Sequence, residues 1–372
     1  MKKNNCVLLL LDSSAAFDTV DHDLLLHKLE FDFNITNNAL KFIKSYLSDR
    51  YFTTMINTTE SAKKRLLYGV PQGSLLGPLL YIMYTKGLEK LILEYGLRIH
   101  MYADDVQLYF SFSDSNLDRL ERVLQRCLGG VQTWMDENFL KLNSEKTQIK
   151  VFNSKFSDPK INMLLNLKCS DSVKVLGVNI DNIKLNSFVS NKVRVCQYHL
   201  RNFNNIKHSL DTATRVMLVT TLILSTLDYC NILLLGSTDK HIRPLRLVMN
   251  RAIRFIFNLP IREHITPYYE RLHILPIKKR IEFKACLFSF KVINRQMPSY
   301  ILENFNRFSP NVVMELREGV GRDDMMFSTT TADHKKNDLF QKIKNQWNLL
   351  PKSIRMSTSL SVFKKKLKTH LF

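Results

Sequence analysis

Three aspartates carry the first chemical signal in this sequence. Asp12 directly follows the apolar run of residues 7–11, and Asp104 and Asp105 form a pair between two stretches rich in apolar β-formers, residues 99–103 and 106–110. If strands ending in these residues lie side by side, the carboxylates converge at a water-facing edge, where they cannot all stay ionised cheaply without a cation. Hard oxygen ligands on a short scaffold favour Mg²⁺, which keeps waters and accepts substrate phosphates. Two such ions, about 3.5–4 Å apart, clamp an in-line displacement at phosphorus, one at the attacking oxygen and one at the leaving oxygen. Each segment alone has an ordinary reading, Asp12 as a turn or cap and the Asp pair as a solvated turn. Their order and spacing make the joint case.

The elements that must position these residues are legible from periodicity. Residues 7–11 read as a buried strand, residues 23–47 as helices, residues 99–110 as a hairpin with two Asp at its turn, and residues 117–138 as an amphipathic helix. Glycine (11) and proline (10) are scarce, so their clustering matters. Gly69-Val70-Pro71-Gln72-Gly73-Ser74-Leu75-Leu76-Gly77-Pro78 precedes the apolar run of residues 79–84, which predicts a tight, backbone-exposing turn into a helix. Residues 173–180, with Gly177 inside, are a further strand candidate. Beyond about residue 185 helical patterns dominate. An ideal helix over residues 242–257 puts Arg243, Arg246, Asn250 and Arg254 on one face and Leu245, Val248, Ala252, Phe255 and Ile256 on the other. Leu360, Phe363, Leu367 and Leu371 form a similar stripe with lysines mostly off it, and residues 310–338 read as a flexible linker.

Composition narrows the class. A chain of 372 residues with 45% apolar and 10% aromatic content is globular, with room for two or three domains. No stretch approaches the roughly 18 uninterrupted apolar residues of a membrane span. The opening mimics a secretory signal, but its apolar run of residues 6–11 ends directly on Asp12, which predicts a strand and a protein that is not secreted. Six cysteines without any C-x-x-C spacing indicate neither a zinc knuckle nor a disulfide framework and suit a reducing compartment, cytoplasm and nucleus. Residues 1–150 carry 18 basic and 18 acidic side chains, whereas residues 151–372 carry 36 and 16. The whole net charge of +20 thus lies in the second part, which reads as a polyanion-binding arm or, more simply, as solubility charge.

Taken together, the motifs resemble a family. Leu11-Asp12-Ser13-Ser14-Ala15-Ala16-Phe17-Asp18-Thr19-Val20-Asp21-His22, the Gly69 to Pro78 turn, Tyr102-Ala103-Asp104-Asp105, Leu142-Asn143-Ser144-Glu145-Lys146-Thr147 and Val175-Leu176-Gly177-Val178 are similar, in order and approximate spacing, to the palm motifs of the reverse transcriptase of LINE-type, non-LTR retrotransposons. The segments 225–231, 264–267, 272–276 and 359–372 resemble the region that follows the polymerase in such elements. The resemblance implies an α/β palm of antiparallel sheet and helices, followed by an all-α thumb and a basic C-terminal helical region. The corresponding domains are residues 1–182, 183–309, a linker at 310–338 and a tail at 339–372.

By the same resemblance, Asp12 and Asp104 are the two metal-binding catalytic aspartates, Asp105 is the neighbouring, less critical third metal-binding and catalytic aspartate, and Lys146 protonates or neutralises the leaving pyrophosphate. Phe17 is the gate beneath the incoming sugar, Gln72 and Gly73 present backbone to nucleotide and template, and Tyr102 flanks the Asp pair on the nucleotide side. Gly177 belongs to the hairpin that steadies the primer end, while Arg243, Arg246 and Arg254 bind nucleic acid. The implied cofactors are two Mg²⁺ ions, or Mn²⁺, and the implied partners are an RNA template, a DNA primer and deoxynucleoside triphosphates, with no membrane. The implied reaction is RNA-directed DNA synthesis. Such enzymes carry a fingers region before the first aspartate, and only eleven residues precede Asp12 here, so the expectation is a chain lacking fingers and endonuclease. The competing readings are a repurposed fragment that binds nucleic acid without polymerase activity and an RNA-dependent RNA polymerase, against which the bulky Phe17 argues.

Overall fold

A computed structural model describes residues 5–112, 117–143, 145–152, 169–181, 185–306 and 338–372. The chain divides into two compact units, Met1–Val173 and Lys174–Phe372. Almost all of the expected linker falls outside the described residues.

The first unit is built on one antiparallel sheet. Its strands are β1 (Asn5–Leu11), β2 (Arg98–Tyr102), β3 (Asp105–Phe112) and β4 (Gln148–Phe152), in the order β4-β1-β3-β2. The apolar run of β1 suits an inner strand: Val7, Leu9 and Leu11 are buried and alternate with half-buried Cys6, Leu8 and Leu10. Leu9 pairs with Leu108 on one side and Ile149 on the other, and all three are at most 1% exposed. This cross-strand row anchors the sheet to its helices.

The helices follow the periodicity. α1 (His22–Phe31) starts at Asp21, whose side chain accepts a hydrogen bond from the Leu24 amide at 2.8 Å, and α2 (Asn37–Leu47) follows it. α3 (Gly77–Glu94) buries Leu80, Tyr84, Leu88 and Ile92, and α4 (Leu117–Glu137) buries Leu120, Leu124, Cys127, Val131 and Met135. Both stripes recur every three or four residues and share one core with β1 and β3. Between α2 and α3, the short antiparallel pairs Tyr51–Phe52 with Lys64–Arg65 and Met55–Ile56 with Thr59–Glu60 form exposed ladders that no periodicity announces.

Among its described residues, the second unit is helical apart from the strand pair at residues 173–180. Residues 173–180, a strand candidate by pattern and a hairpin by resemblance, form a hairpin of Val173–Val175 and Val178–Ile180, because Leu176 (φ 44°) and Gly177 (φ 80°) both turn left-handed between them. The core is made by α5 (Asn186–Asn205), α6 (Asp239–Phe257), α7 (Ile277–Ile293), α8 (Leu339–Asn348) and α9 (Leu360–Leu371). All five apolar residues predicted for the α6 face are buried. In α9, Phe363 stacks on Phe290 of α7 at 4.5 Å and lies 5.5 Å from Trp347 of α8. Residues 339–372 are therefore part of this core and not a separate tail. No described helix is long and apolar enough to cross a membrane, and all six cysteines are free thiols.

Asp228 is clamped by Arg280. Nε donates to Oδ1 at 2.7 Å and Nη2 to Oδ2, with both side chains about one-fifth exposed. Its neighbours are held too. Buried Lys192 donates to the Thr226 and Tyr229 carbonyls at the end of a helical segment, and the Tyr229 hydroxyl donates to the Leu176 carbonyl in the hairpin turn. One short segment thus joins α5, α7 and the hairpin. Removing one partner of a shielded pair strands the other, so Arg280→Met should destabilise the protein by about 2–3 kcal/mol. Adding Asp228→Asn should recover most of that loss. Chemical denaturation of the two variants beside the parent measures both effects.

Candidate active site

Strand register assembles the site. Leu11 pairs with Val106, and Tyr102 pairs with Asp105 across the two-residue turn Ala103-Asp104. Asp12, one residue beyond Leu11, therefore emerges at the sheet end where β2 turns into β3. The turn requires Ala103 at φ 53°, an uncommon conformation for a residue with a Cβ. The carboxylates influence one another there. The Asp105 carboxyl is held above the usual carboxylate range by partial burial first, then by the negative charges of Asp104 and Asp12. Burial and the charge of Asp104 also push the Tyr81 hydroxyl up to about 12, which keeps it protonated.

β4 brings the cation. Beyond its first residue, Gln148, the chain folds around Asn143. The Asn143 side chain accepts from the Lys146 amide at 3.2 Å, its carbonyl accepts from the Thr147 amide at 2.9 Å, and its own amide donates to the Asp12 carbonyl at 2.8 Å. This winding sets Lys146 Nζ 3.5 Å from Asp12 Oδ2. The pair is open to solvent on the lysine side, 69% against 34% for the aspartate, so it contributes little stability and is easily exchanged.

Asp12 Oδ2 is itself buried and has no hydrogen-bond partner. A buried anionic oxygen held only by one exposed ammonium, with other carboxylates nearby, fits a hard divalent cation. Among the described residues, however, no three His, Cys, Asp or Glu side chains are grouped closely enough to hold a metal. The three aspartates are linked by charge, since Asp105 feels both Asp104 and Asp12. Two carboxylates suffice for Mg²⁺ when waters and phosphate oxygens complete its shell.

A cavity of about 450 Å³ opens beside these aspartates, with Asp104, Phe17, Gln72 and Gly73 in its wall. Two turns packed on each other form the wall. The Gly69 amide donates to the Val20 carbonyl at 2.7 Å, the Val70 amide donates to the Phe17 carbonyl at 2.8 Å, and His22 Nε2 lies 2.7 Å from the Gly69 carbonyl. A Cβ on Gly69 would sit 2.9 Å from the Asp18 backbone, so only glycine allows the approach. At Gly73 a Cβ would meet no atom of the chain within 4 Å, so the φ of 80° favours glycine and the position faces open space. Gln72 Nε2 donates to Asp18 Oδ1 at 3.0 Å. The Phe17 ring packs on Tyr81, with centroids 4.7 Å apart, so it serves both the core and the cavity wall.

The structure thus brings together Asp12, Asp104, Asp105, Phe17, Gln72, Gly73 and Lys146 at one end of one sheet. Tyr102 is exposed at the end of β2 and does not line the cavity. Gly177, Arg243, Arg246 and Arg254 belong to the second unit. There, Gly177 faces Tyr229, whose ring lies 3.4 Å from where a Cβ would be. Arg254 donates to the Pro260 and Glu263 carbonyls at 3.3 and 3.1 Å, while Arg243 and Arg246 are exposed. Sequence reasoning passed over Tyr81, Asp18 and Asn143. Asn143 had a signal, an Asx residue at the end of an apolar segment, whereas Asp18 and Tyr81 matter only through partners 54 and 64 residues away.

Residues 1–180 match the profile of the family described as reverse transcriptase (RNA-dependent DNA polymerase). The probable RNA-directed DNA polymerase from transposon BS of Drosophila melanogaster is 33% identical over 162 residues, 42% of this chain and 17% of that protein. The RNA-directed DNA polymerase from mobile element jockey of the same organism is 31% identical over 178 residues, 46% of this chain and 19% of that protein. The chain thus spans under one-fifth of the length of these relatives. A telomerase chain from Candida albicans, solved with a fragment of telomeric RNA, aligns at 15% identity and a TM-score of 0.35 over 75% of this chain and 48% of that one.

If Asp12 and Asp104 hold a divalent ion, Mg²⁺ should raise the melting temperature of the parent chain in a thermal-shift titration, since an ion bound only by the folded state stabilises it by mass action. Asp12→Asn and Asp104→Asn should melt at or above the parent temperature without Mg²⁺, because each relieves like-charge repulsion, and should lose most of the Mg²⁺ response.

Proposed function

We propose, from the premise that residues 1–180 belong to the reverse transcriptase family of LINE-type mobile elements, that this chain extends a DNA primer on an RNA template. The observation that carries the reading is the register that sets Asp12 and Asp104 at one sheet end, beside a cavity large enough for a nucleotide and walled by Phe17 and Gly73. The first unit acts as the palm and the helical second unit as the thumb.

In this reading the primer 3′-hydroxyl attacks the α-phosphate of a deoxynucleoside triphosphate and pyrophosphate leaves. Asp12 and Asp104 would hold the divalent ions. Bound there, a pair of Mg²⁺ ions supplies the charge that activates the attacking oxygen and neutralises the leaving one. The chain's own residues do the rest. Lys146, already 3.5 Å from Asp12, places an ammonium where the leaving pyrophosphate gathers negative charge. Asp105 adds negative potential beside Asp12 and Asp104 as the less critical third carboxylate. Gly73 leaves open space at the cavity wall, so backbone can approach nucleotide and template. Gln72 is oriented by Asp18 toward the same opening.

Phe17 selects the sugar. Its ring cannot retreat, because Tyr81 packs behind it and Tyr81 is itself buried. A ribose 2′-hydroxyl would collide with that ring, whereas a deoxyribose would not. The same stiffness argues against the ribonucleotide-polymerase reading.

Asp12→Asn and Asp104→Asn should each cut Mg²⁺-dependent primer extension by well over tenfold, a barrier increase above about 1.4 kcal/mol. Activity retained within tenfold in either variant would overturn the catalytic assignment. Phe17→Ala should raise ribonucleotide incorporation relative to deoxynucleotide incorporation, measured as the ratio of kcat/KM values. An unchanged ratio would leave Phe17 with packing alone.

A further inference from the structure

Between α2 and α3 the chain makes a ribbon in which every residue from 51 to 65 is exposed. Its outer strand is Tyr51-Phe52-Thr53-Thr54-Met55-Ile56, joined by the turn at Asn57-Thr58 to a second strand over residues 59–65. Tyr51 pairs with Arg65 and Phe52 with Lys64, whereas Met55 pairs with Glu60 and Ile56 with Thr59, so the second strand carries one extra residue as a bulge. Among the described residues no third strand joins either pair. Two strands alone are marginal in water, and this ribbon leaves Tyr51, Phe52, Met55 and Ile56 between 49% and 70% exposed.

Hydrogen bonding decides which backbone groups face outward. The Arg50 carbonyl accepts from the Leu66 amide at 2.8 Å, the Thr54 carbonyl accepts from the Ser61 amide at 3.0 Å, and the Thr54 amide donates to Ser61 Oγ at 2.9 Å. Backbone groups alternate sides along a strand, so Arg50, Phe52, Thr54 and Ile56 face the ribbon's own second strand, and Tyr51, Thr53 and Met55 turn theirs to the outer edge. The two edges are defended differently. The second strand bears Lys63, Lys64 and Arg65, charges that deter a further strand, whereas residues 51–56 hold no charge, proline or glycine and are β-branched or aromatic except for Met55.

We infer that this outer edge pairs antiparallel with the same edge of a second copy of the chain, about a two-fold axis at Thr54. The edge is complementary to itself. Only its odd-numbered residues offer outward backbone groups, so an odd residue must meet an odd one, and the axis must pass through a residue rather than between two. With Thr54 on the axis, Thr53 exchanges backbone hydrogen bonds with the other copy's Met55 in both halves, and Phe52 lies opposite Ile56, an aromatic and β-branched pair. An edge without charge gives a polyanion or an acidic segment nothing to hold, and it meets its own copy without repulsion. The guarded second strand stops the pairing from continuing, so it closes at a dimer. Area sets the strength: at about 150–250 Å² per large side chain, four of them exposed to this extent supply about 450 Å² per copy. That is short of the roughly 800 Å² per partner of a stable complex and fits a reversible dimer. This surface lines no part of the cavity beside the aspartates and does not rest on the polymerase reading.

The test is sedimentation velocity on the full chain at about 1–100 μM, after nuclease treatment and in high salt, so that bridging by nucleic acid does not count. The edge variant is Thr53→Lys/Met55→Lys, which sets lysines opposite one another in the inferred register. The control, Glu60→Gln/Ala62→Lys, adds the same charge to the second strand. Thr54→Cys reads the register directly, because Cα atoms about 4.5 Å apart across a non-hydrogen-bonded pair lie within the span of a disulfide. Thr58→Cys, equally exposed on the turn, has no copy of itself opposite. The parent, with its six free thiols, supplies the background.

The parent should dimerise reversibly with concentration. The edge variant should raise the dimer dissociation constant by at least about tenfold, and the control should change it far less. Under mild oxidation Thr54→Cys should cross-link two copies well above both the parent and Thr58→Cys, and this tests the pairing even if the lysine variant unfolds. A parent that stays monomeric throughout, or that grows past the dimer, would overturn the inference. Equal dimerisation by the edge and control variants would overturn it by placing the interface elsewhere. Cross-linking at position 58 as efficient as at position 54 would overturn the register and the two-fold with it.

Discussion

The pairing of β1 between β3 and β4 is the constraint on which the first unit depends. Side chains alternate along a strand, so a slip of one residue would turn Val7, Leu9 and Leu11 out of the core. The buried row Leu9, Leu108 and Ile149 makes such a slip costly, because each of these side chains is worth roughly 1.5–3 kcal/mol when removed from water. Once that row is set, the chemistry has no freedom left. Asp12 must follow Leu11, the Ala103-Asp104 turn must close beside it, and the loop before β4 must deliver Lys146 to the same sheet end. A hydrophobic constraint inside the sheet thereby fixes an electrostatic arrangement at its edge.

That arrangement is poised rather than satisfied. Asp12 Oδ2 has lost water without gaining a hydrogen bond, and its compensating ammonium is an exposed lysine. Burial and like charge lift the neighbouring Asp105. A site meant only for stability would pair these groups more tightly, because leaving a buried polar atom unmade is expensive. The cost is met by the rigid surroundings, in which two turns are stitched together through Gly69, Val70 and His22 and an aromatic stack is formed by Phe17 and Tyr81.

The second unit solves a different problem. Its helices end in carbonyls that need donors, and the buried cation Lys192 supplies them while Arg280 compensates Asp228. These internal partners explain why part of the basic excess is structural. Six further cations line a groove between α5 and α6 without carboxylate partners among the described residues, while others, such as Lys364, Lys365 and Lys368 of α9, stand exposed elsewhere.

Local chemistry was legible from the sequence alone. The apolar run before Asp12, the paired aspartates between β-formers, the glycine-proline turn into α3 and the two faces of α6 all reflect short-range rules of periodicity and backbone freedom, and their order carried the family resemblance. Tertiary structure decided whatever depends on partners far apart in the chain. It set Lys146 on Asp12, Gln72 on Asp18 and Tyr81 behind Phe17, and drew residues 339–372 into the helical core. It also chose which arginines share a groove, because exposure on one helix says nothing of what the next helix brings alongside. Periodicity reports the direction in which a side chain leaves its own element, and only packing determines what it meets there.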